Sequence, residues 1–151
     1  MIYYNYDRFK VDVQDLANGC AVFEADTILA IARGGMTVGH ALSMALNIRN
    51  LQSIRCESYD DVAQRDTVSV IGECDFTQSK RVLIVDDIVD SGKTLCALIP
   101  ILQKRHPDVL FASAAIFTKP TACIQPDFSL HVASDWIDFF WERDFLKPDS
   151  L

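Results

Sequence analysis

No stretch of this sequence stays apolar for the roughly 20 residues that a membrane-spanning helix needs, so no integral membrane segment is expected. Blocks of lysine or arginine are missing too. With a net charge of −7, the chain lacks the broad positive face through which proteins hold nucleic acid. A polyanionic ligand would have to be met locally, by a metal ion, backbone amides and a few basic side chains. Cysteines number five. They stand at positions 20, 56, 74, 96 and 123, widely spaced and without a CxxC pair or a Cys/His cluster. That pattern argues against structural zinc and suits scattered thiols in a reducing cytoplasm rather than a disulfide framework. The N-terminal Met1-Ile2-Tyr3-Tyr4-Asn5-Tyr6-Asp7 has no basic region followed by an apolar one, so no secretory signal is expected. Repeats, low-complexity runs and linkers are absent. What is there is 151 residues, half of them hydrophobic and only six of them glycine. That composition suits one domain, residues 1–151, with a full core.

Apolar spacing sets the expected elements. Phe9, Val13, Leu16, Ala17, Cys20 and Phe23 recur at helical intervals, which predicts a packing helix over about 8–24. Residues 27–32 are short and fully apolar, as in a strand covered on both faces. Arg33-Gly34-Gly35 breaks that strand, and 37–47 reads as a helix with Val38, Ala41, Leu42 and Ala45 inward. Further strands are predicted over 51–56, 67–71, 81–85, 109–117 and 128–133. A helix over 94–104 contains Pro100, which should kink or shorten it. Strands alternating with helices predict an α/β fold with a mainly parallel central sheet flanked by helices. Ligands of such sheets sit beyond the carboxyl ends of the strands. Both Arg33-Gly34-Gly35 and Asp86-Asp87 fall at such ends.

The densest signal is the run from Val82 to Thr94. An apolar strand meets two adjacent carboxylates, Asp86 and Asp87. A third, Asp90, follows, and then Ser91-Gly92-Lys93-Thr94 opens a helix. A glycine-containing loop at a helix N-terminus is a phosphate site. Carboxylates beside it would repel phosphate unless a cation or sugar hydroxyls lie between, and a ribose with a magnesium ion matches that need. The run is not a Walker A loop, because that motif requires glycine where Asp87 stands. Arg33-Gly34-Gly35 fits a pyrophosphate loop: absent side chains let backbone amides approach the oxygens, and the Arg33 guanidinium can contact them.

The same run resembles the phosphoribosyl-pyrophosphate (PRPP) motif of type I phosphoribosyltransferases. That motif is an apolar pair, two acids, two apolar residues, Asp or Thr, Ser or Thr, Gly, any residue and Thr, and every position is matched. The resemblance extends from about Phe9 to Glu142. Chain length, Ser58-Tyr59-Asp60 and the aromatic tail are most similar to the compact bacterial xanthine-guanine, or 6-oxopurine, enzymes. Two departures stand out. Phe139-Phe140-Trp141 lacks the proline that often precedes the Trp-acid pair, and the segment after Lys119-Pro120 differs from that bacterial group.

The resemblance implies a type I fold with a small base-binding hood formed by about 118–151. It implies a Mg2+-dependent purine-salvage enzyme. Ribose 5-phosphate would pass from PRPP to xanthine, guanine or hypoxanthine, giving the purine nucleotide and pyrophosphate. Arg33, Gly34 and Gly35 would bind pyrophosphate, with a non-proline cis peptide expected at Ala32–Arg33. Asp86 and Asp87 would face the ribose hydroxyls and the magnesium shell, directly or through water and PRPP. Asp90, Ser91, Gly92, Lys93 and Thr94 would wrap the 5′-phosphate, Lys93 through its backbone amide. Asp90 would also handle a proton at the purine ring as the catalytic residue. Lys119 would donate to the exocyclic oxygen, Trp136 would stack on the base, and Ile137 would read its edge through the backbone. Residues 57–66, with Ser58 and Tyr59, would form a flexible loop closing over PRPP. A homo-oligomer, dimer or tetramer, is implied; Phe139, Phe140 and Trp141 would support an interface only where they are exposed, which the sequence does not show. The alternatives are a phosphoribosyltransferase for another base, or a non-catalytic homologue that senses PRPP or a nucleotide. Asp90, Lys119 and Trp136 speak against the sensor, which needs no base-reading residues.

Overall fold

Five parallel strands and one antiparallel edge strand form the central sheet. In a computed structural model describing residues 1–59 and 67–150, the strands are β1 (Ile2–Tyr4), β2 (Thr27–Ala32), β3 (Asn50–Tyr59), β4 (Thr67–Ile71), β5 (Arg81–Val89), β6 (Leu110–Thr118), β7 (Phe128–Val132) and β8 (Ile137–Phe139). The helices are α1 (Tyr6–Cys20), α2 (Gly34–Ala45), α3 (Lys93–Arg105) and the single turn α4 (Phe140–Arg143). The central sheet runs β4-β3-β2-β5-β6-β7, and only the β3–β4 pair is antiparallel. The mainly parallel α/β sheet expected from the sequence is therefore present.

Its middle strands are apolar on both sides because both sides are covered. On one face Val38 and Leu42 of α2 and Leu16 of α1 pack with Ile28, Leu83 and Val85. On the other, Leu95, Leu98 and Leu102 of α3 pack with Leu29, Ile31, Val82 and Ile84. The chain leaves β2 toward one face and leaves its neighbour β5 toward the other. That divergence opens a crevice at the carboxyl ends of the two strands. Approach of α2 to the sheet is close: a β-carbon on Gly35 would collide with the Val85 carbonyl oxygen, and one on Gly39 would sit 2.8 Å from the Ala30 β-carbon.

Several elements differ from expectation at their ends. The helix expected at 37–47 begins at Gly34, so the glycine pair forms its first turn. The strand expected to stop at Val85 runs on to Val89, paired with β6 through Ile88 and Val89. Asp86 and Asp87 thus lie within a strand rather than after it. Pro100 neither shortens nor ends α3, which continues to Arg105 with the proline ring on its exposed side. Ser58 and Tyr59, expected in a flexible loop, end β3 and pair with Val68 and Thr67. The remainder of that loop, residues 60–66, lies outside the described residues.

Two strands were not anticipated. β1 and β8 form a separate parallel pair, with Ile2 opposite Ile137 and Tyr4 opposite Phe139. Each is too short for an alternation pattern to register. Tyr4 is fully buried and meets the rings of Phe9, Phe117, Phe139 and Trp141 edge-on. Its hydroxyl donates to Asp12 Oδ2 at 2.6 Å, and His131 Nε2 lies 2.9 Å from the same oxygen. Phe139 is buried, and Phe140 and Trp141 pack against the core, so these rings are not an exposed interface patch. The aromatic tail is spent inside the subunit, around Tyr4.

Gly35→Ala is expected to destabilise the domain by about 2 kcal/mol through overpacking, lowering the melting temperature by roughly 4–8 °C. Gly19→Ala, with nothing near the added carbon, is expected to leave it unchanged or slightly raised. Thermal unfolding of the two variants beside the parent checks the contrast.

Candidate active site

Strand alternation sorts the carboxylates of β5. Successive side chains point to opposite faces, so Asp86 continues the row of Val82 and Ile84 toward α3, and Asp87 the row of Leu83 and Val85 toward α2. Asp86 lines a small hollow with Asp90, Ser91, Gly92 and Thr94. Its charge is also felt by Cys56, a thiol on the α3 side that burial, foremost, pushes up to about 11. Asp87 lies against Gly34, where a β-carbon would run into its carboxylate. One strand end thus serves two adjoining clefts.

The hollow on the α3 side measures about 100 Å³. Gly92 stands at its rim with φ +82°, left-handed backbone that glycine adopts at least cost. Gly92 is also the N-cap of α3 and no side chain caps the helix there. The amides at the start of α3 point toward this hollow, where the helix dipole favours an anion. The Lys93 N–H donates to Ser91 Oγ at 3.2 Å. Asp90, Ser91, Gly92, Lys93 and Thr94 are therefore brought together as a phosphate-sized cradle.

On the α2 side a cleft of about 230 Å³ is lined by Gly34, Asp87, Asp90, Lys119, Trp136, Ile137 and their neighbours. Lys119 Nζ and Asp90 Oδ1 form an ion pair at 2.9 Å. The lysine is placed by its backbone, whose N–H donates to the Val89 carbonyl at 3.0 Å and whose carbonyl accepts from Gln125 Nε2 at 2.9 Å. Trp136 leaves 65% of its surface exposed, whereas Ile137 is buried in β8. The Ile2 N–H donates to the Trp136 carbonyl at 2.9 Å, so β1 fixes the segment that carries the ring.

A third cleft, about 470 Å³, adjoins the second and is lined by Arg33, Gly34, Thr37, Trp141 and Glu142. Arg33 is exposed, and the Ala32–Arg33 peptide is cis, as expected. The Trp141 indole N–H is near enough to Asp87 to favour that carboxylate's charged form. It has no acceptor in hydrogen-bond geometry and is a buried donor without a partner. Burial, then the charges of Asp87 and Asp138, raises the Glu142 carboxyl, against a pull from Arg33. Thr37, Asp135, Trp141 and Glu142 line these clefts without having been singled out as site residues. For Trp141 and Glu142 the signal was present in the Trp-acid pair, to which the sequence reading gave no role. A separate groove of about 500 Å³, near the C-terminal end of α3, contains none of the residues flagged by the sequence.

The donors for a metal are sparse. Among the described residues no three His, Cys, Asp or Glu side chains cluster as a metal cage. Asp86 and Asp87 adjoin each other, joined by an Asp87 N–H to Asp86 Oδ1 bond of 2.9 Å. Burial, and then the neighbouring Asp87 charge, lifts the Asp86 carboxyl well above the usual range; burial raises Asp87 as well. Two buried acids that resist ionising together are relieved by a divalent cation. Magnesium, which is held by one or two carboxylates and keeps water and substrate phosphates as its other ligands, fits such a pair.

Comparison with known proteins agrees with this arrangement. Residues 6–145 match the family model described as the phosphoribosyl transferase domain. Over 126 residues, 80% of this chain and 74% of its relative, the sequence is 34% identical to a xanthine-guanine phosphoribosyltransferase of Idiomarina loihiensis. The fold superimposes on the xanthine-guanine-hypoxanthine phosphoribosyltransferase of Helicobacter pylori with a TM-score of 0.88, at 34% identity and covering 99% of each chain. A purine phosphoribosyltransferase of Pyrococcus horikoshii gives a TM-score of 0.79 at 27% identity, covering 93% of this chain and 92% of that one. The chain belongs to the phosphoribosyltransferase family, of type I.

Proposed function

We propose that this protein is a purine-salvage phosphoribosyltransferase that moves ribose 5-phosphate from PRPP to a 6-oxopurine, releasing pyrophosphate. The observation that carries the reading is the Asp90–Lys119 ion pair, set in one cleft with Trp136 and Ile137 and directly beside the cradle built from the same loop. An oxygen on the purine ring offers Lys119 an acceptor, and an amino group there would not. The similar proteins named for xanthine, guanine and hypoxanthine support the same choice of base.

The reaction joins a ring nitrogen of the purine to C1′ of the ribose as the bond from C1′ to the pyrophosphate oxygen breaks. The electron pair of that bond leaves with pyrophosphate, and the ring gives up a proton. Binding of the base would share Lys119 between Asp90 and the exocyclic oxygen, freeing the Asp90 carboxylate to take the proton. Trp136 would stack on the ring, worth about 1 kcal/mol beyond burial. Ser91, Thr94 and the amides of α3 would hold the 5′-phosphate. Arg33 and the amides of Gly34 and Gly35 would hold the departing pyrophosphate, with Thr37 and the unpartnered Trp141 N–H within the same cleft. Asp86 and Asp87 would hold Mg2+, which when bound neutralises charge on the pyrophosphate and ribose oxygens. A cytoplasmic, homo-oligomeric protein, dimer or tetramer, belongs to this reading; no helix among the described residues is long and apolar enough to cross a membrane.

The direct test is pyrophosphate release from PRPP with magnesium, supplying guanine, xanthine, hypoxanthine, adenine and orotate in separate reactions. Turnover is expected with at least one 6-oxopurine and with neither adenine nor orotate; turnover confined to adenine or orotate overturns the assignment of the base. Asp90→Asn is expected to lower kcat by about 100-fold or more while changing PRPP binding only slightly; equal losses in both would remove Asp90 from the proton step. Chelation with EDTA is expected to abolish turnover and added Mg2+ to restore it. Full activity in EDTA would refute the metal role of Asp86 and Asp87.

A further inference from the structure

The cysteines, scattered in sequence, are not all scattered in space. Cys96 lies in the first turn of α3 and Cys123 in the loop between β6 and β7, and their sulfurs approach to 2.7 Å. Both residues are exposed, whereas Cys20 is buried and Cys56 and Cys74 are partly so. The separation is roughly 0.7 Å more than a disulfide bond. The loop carrying Cys123 is pressed against the phosphate cradle: the Cys123 N–H donates to the Ser91 carbonyl at 2.8 Å. A β-carbon on Gly92 would lie 3.1 Å from both the Cys123 nitrogen and its sulfur. The same loop begins at Lys119, and the Cys96 N–H donates to the Gly92 carbonyl at 2.9 Å. A bond between the two sulfurs would therefore tie the base-reading loop to the cradle across Gly92.

We propose that Cys96 and Cys123 are a redox modification site, closing reversibly to a disulfide that braces the Ser91–Gly92 turn and weakens its hold on a sugar phosphate. The oxidant is a low-molecular-weight disulfide such as oxidised glutathione. One protein thiolate attacks it and releases one glutathione thiolate. The second protein thiolate then attacks the mixed disulfide and releases another. Two protein thiols and one glutathione disulfide thus become one protein disulfide and two glutathione thiols. Drawing the sulfurs together pins the Cys123 loop on Gly92, which is already in contact. The turn then loses the freedom to adjust around an entering phosphate. The loss of affinity rests on the phosphate role proposed for this cradle; formation of the bond does not.

The test begins with reduced protein treated with oxidised glutathione, alkylated, digested without reductant and analysed by mass spectrometry. Ribose 5-phosphate binding is then titrated calorimetrically in the reduced, oxidised and re-reduced forms. A Cys96–Cys123 linked peptide is expected, with affinity roughly tenfold weaker after oxidation, as if the competent conformation fell to a tenth of its population, and recovered with dithiothreitol. Cys96→Ser and Cys123→Ser are each expected to bind ribose 5-phosphate like the reduced parent and to ignore the oxidant. Absence of the linked peptide, or glutathione adducts alone, overturns the proposal. So does a linked peptide with unchanged affinity. Reduced protein that binds no ribose 5-phosphate overturns the loss of affinity together with the phosphate role, and leaves the cross-link to be judged by the peptide.

Discussion

The site depends on how closely α2 lies against the junction of β2 and β5. Gly35 touches the Val85 carbonyl, Gly39 touches Ala30, and Gly34 lies against Asp87. Any side chain at these positions would lift the helix from the sheet. With the helix down, Arg33 and the first turn of α2 border the same clefts as Asp87 of β5. The contact is thus a constraint of volume before it is one of chemistry. Three of the six glycines are placed there, in a fold that uses few elsewhere.

Strand geometry accounts for the division of labour around β5. Because β5 continues to Val89, Asp86 and Asp87 lean toward different clefts from one strand end, yet stay near enough for their carboxyl groups to interact. One carboxylate looks into the cradle at α3 and the other into the cleft at α2. The interval from Asp87 to Asp90 then carries the chain across the strand end to the ion pair with Lys119. A sugar with a phosphate on one carbon and a leaving group on another has two ends to be held. A strand end with alternating side chains presents anchors for both.

Much of this was legible beforehand. The apolar strands at 27–32 and 67–71 are present with those bounds. The residues from Arg33 to Gly35 and from Asp86 to Thr94 do converge on one crevice. Apolar periodicity reports burial: β2 is buried on both faces, whereas β4 is a half-exposed edge strand. The failures have physical causes. Continuation of β5 past Val85 is invisible because Asp86 and Asp87 are polar residues that pair in a sheet only where a cleft receives them. β1 and β8 are three residues each, and their partner choice is set by the fold. Whether Phe139, Phe140 and Trp141 are exposed cannot be read in one dimension, because Tyr4, far away in sequence, is what draws them inward. The nearness of Cys96 and Cys123 is likewise a property of the packed chain, since no spacing rule relates a helix to a loop two elements later.

The pairing of β1 with β8 bears on how the molecule is made. Tyr3 and Tyr4 are synthesised long before their strand partners, Asp138 and Phe139. Contacts of such long reach form late and slowly, and a nascent chain folds from its beginning. Until Ile137 to Phe139 emerge, Tyr4 has only part of its aromatic shell, and its hydroxyl depends on Asp12 alone among the first elements. The sheet and the phosphate cradle can be complete by then. A polypeptide cut short before Ile137 would thus keep the hollow at α3 but lack the strand pair that fixes the Trp136 segment over the neighbouring cleft.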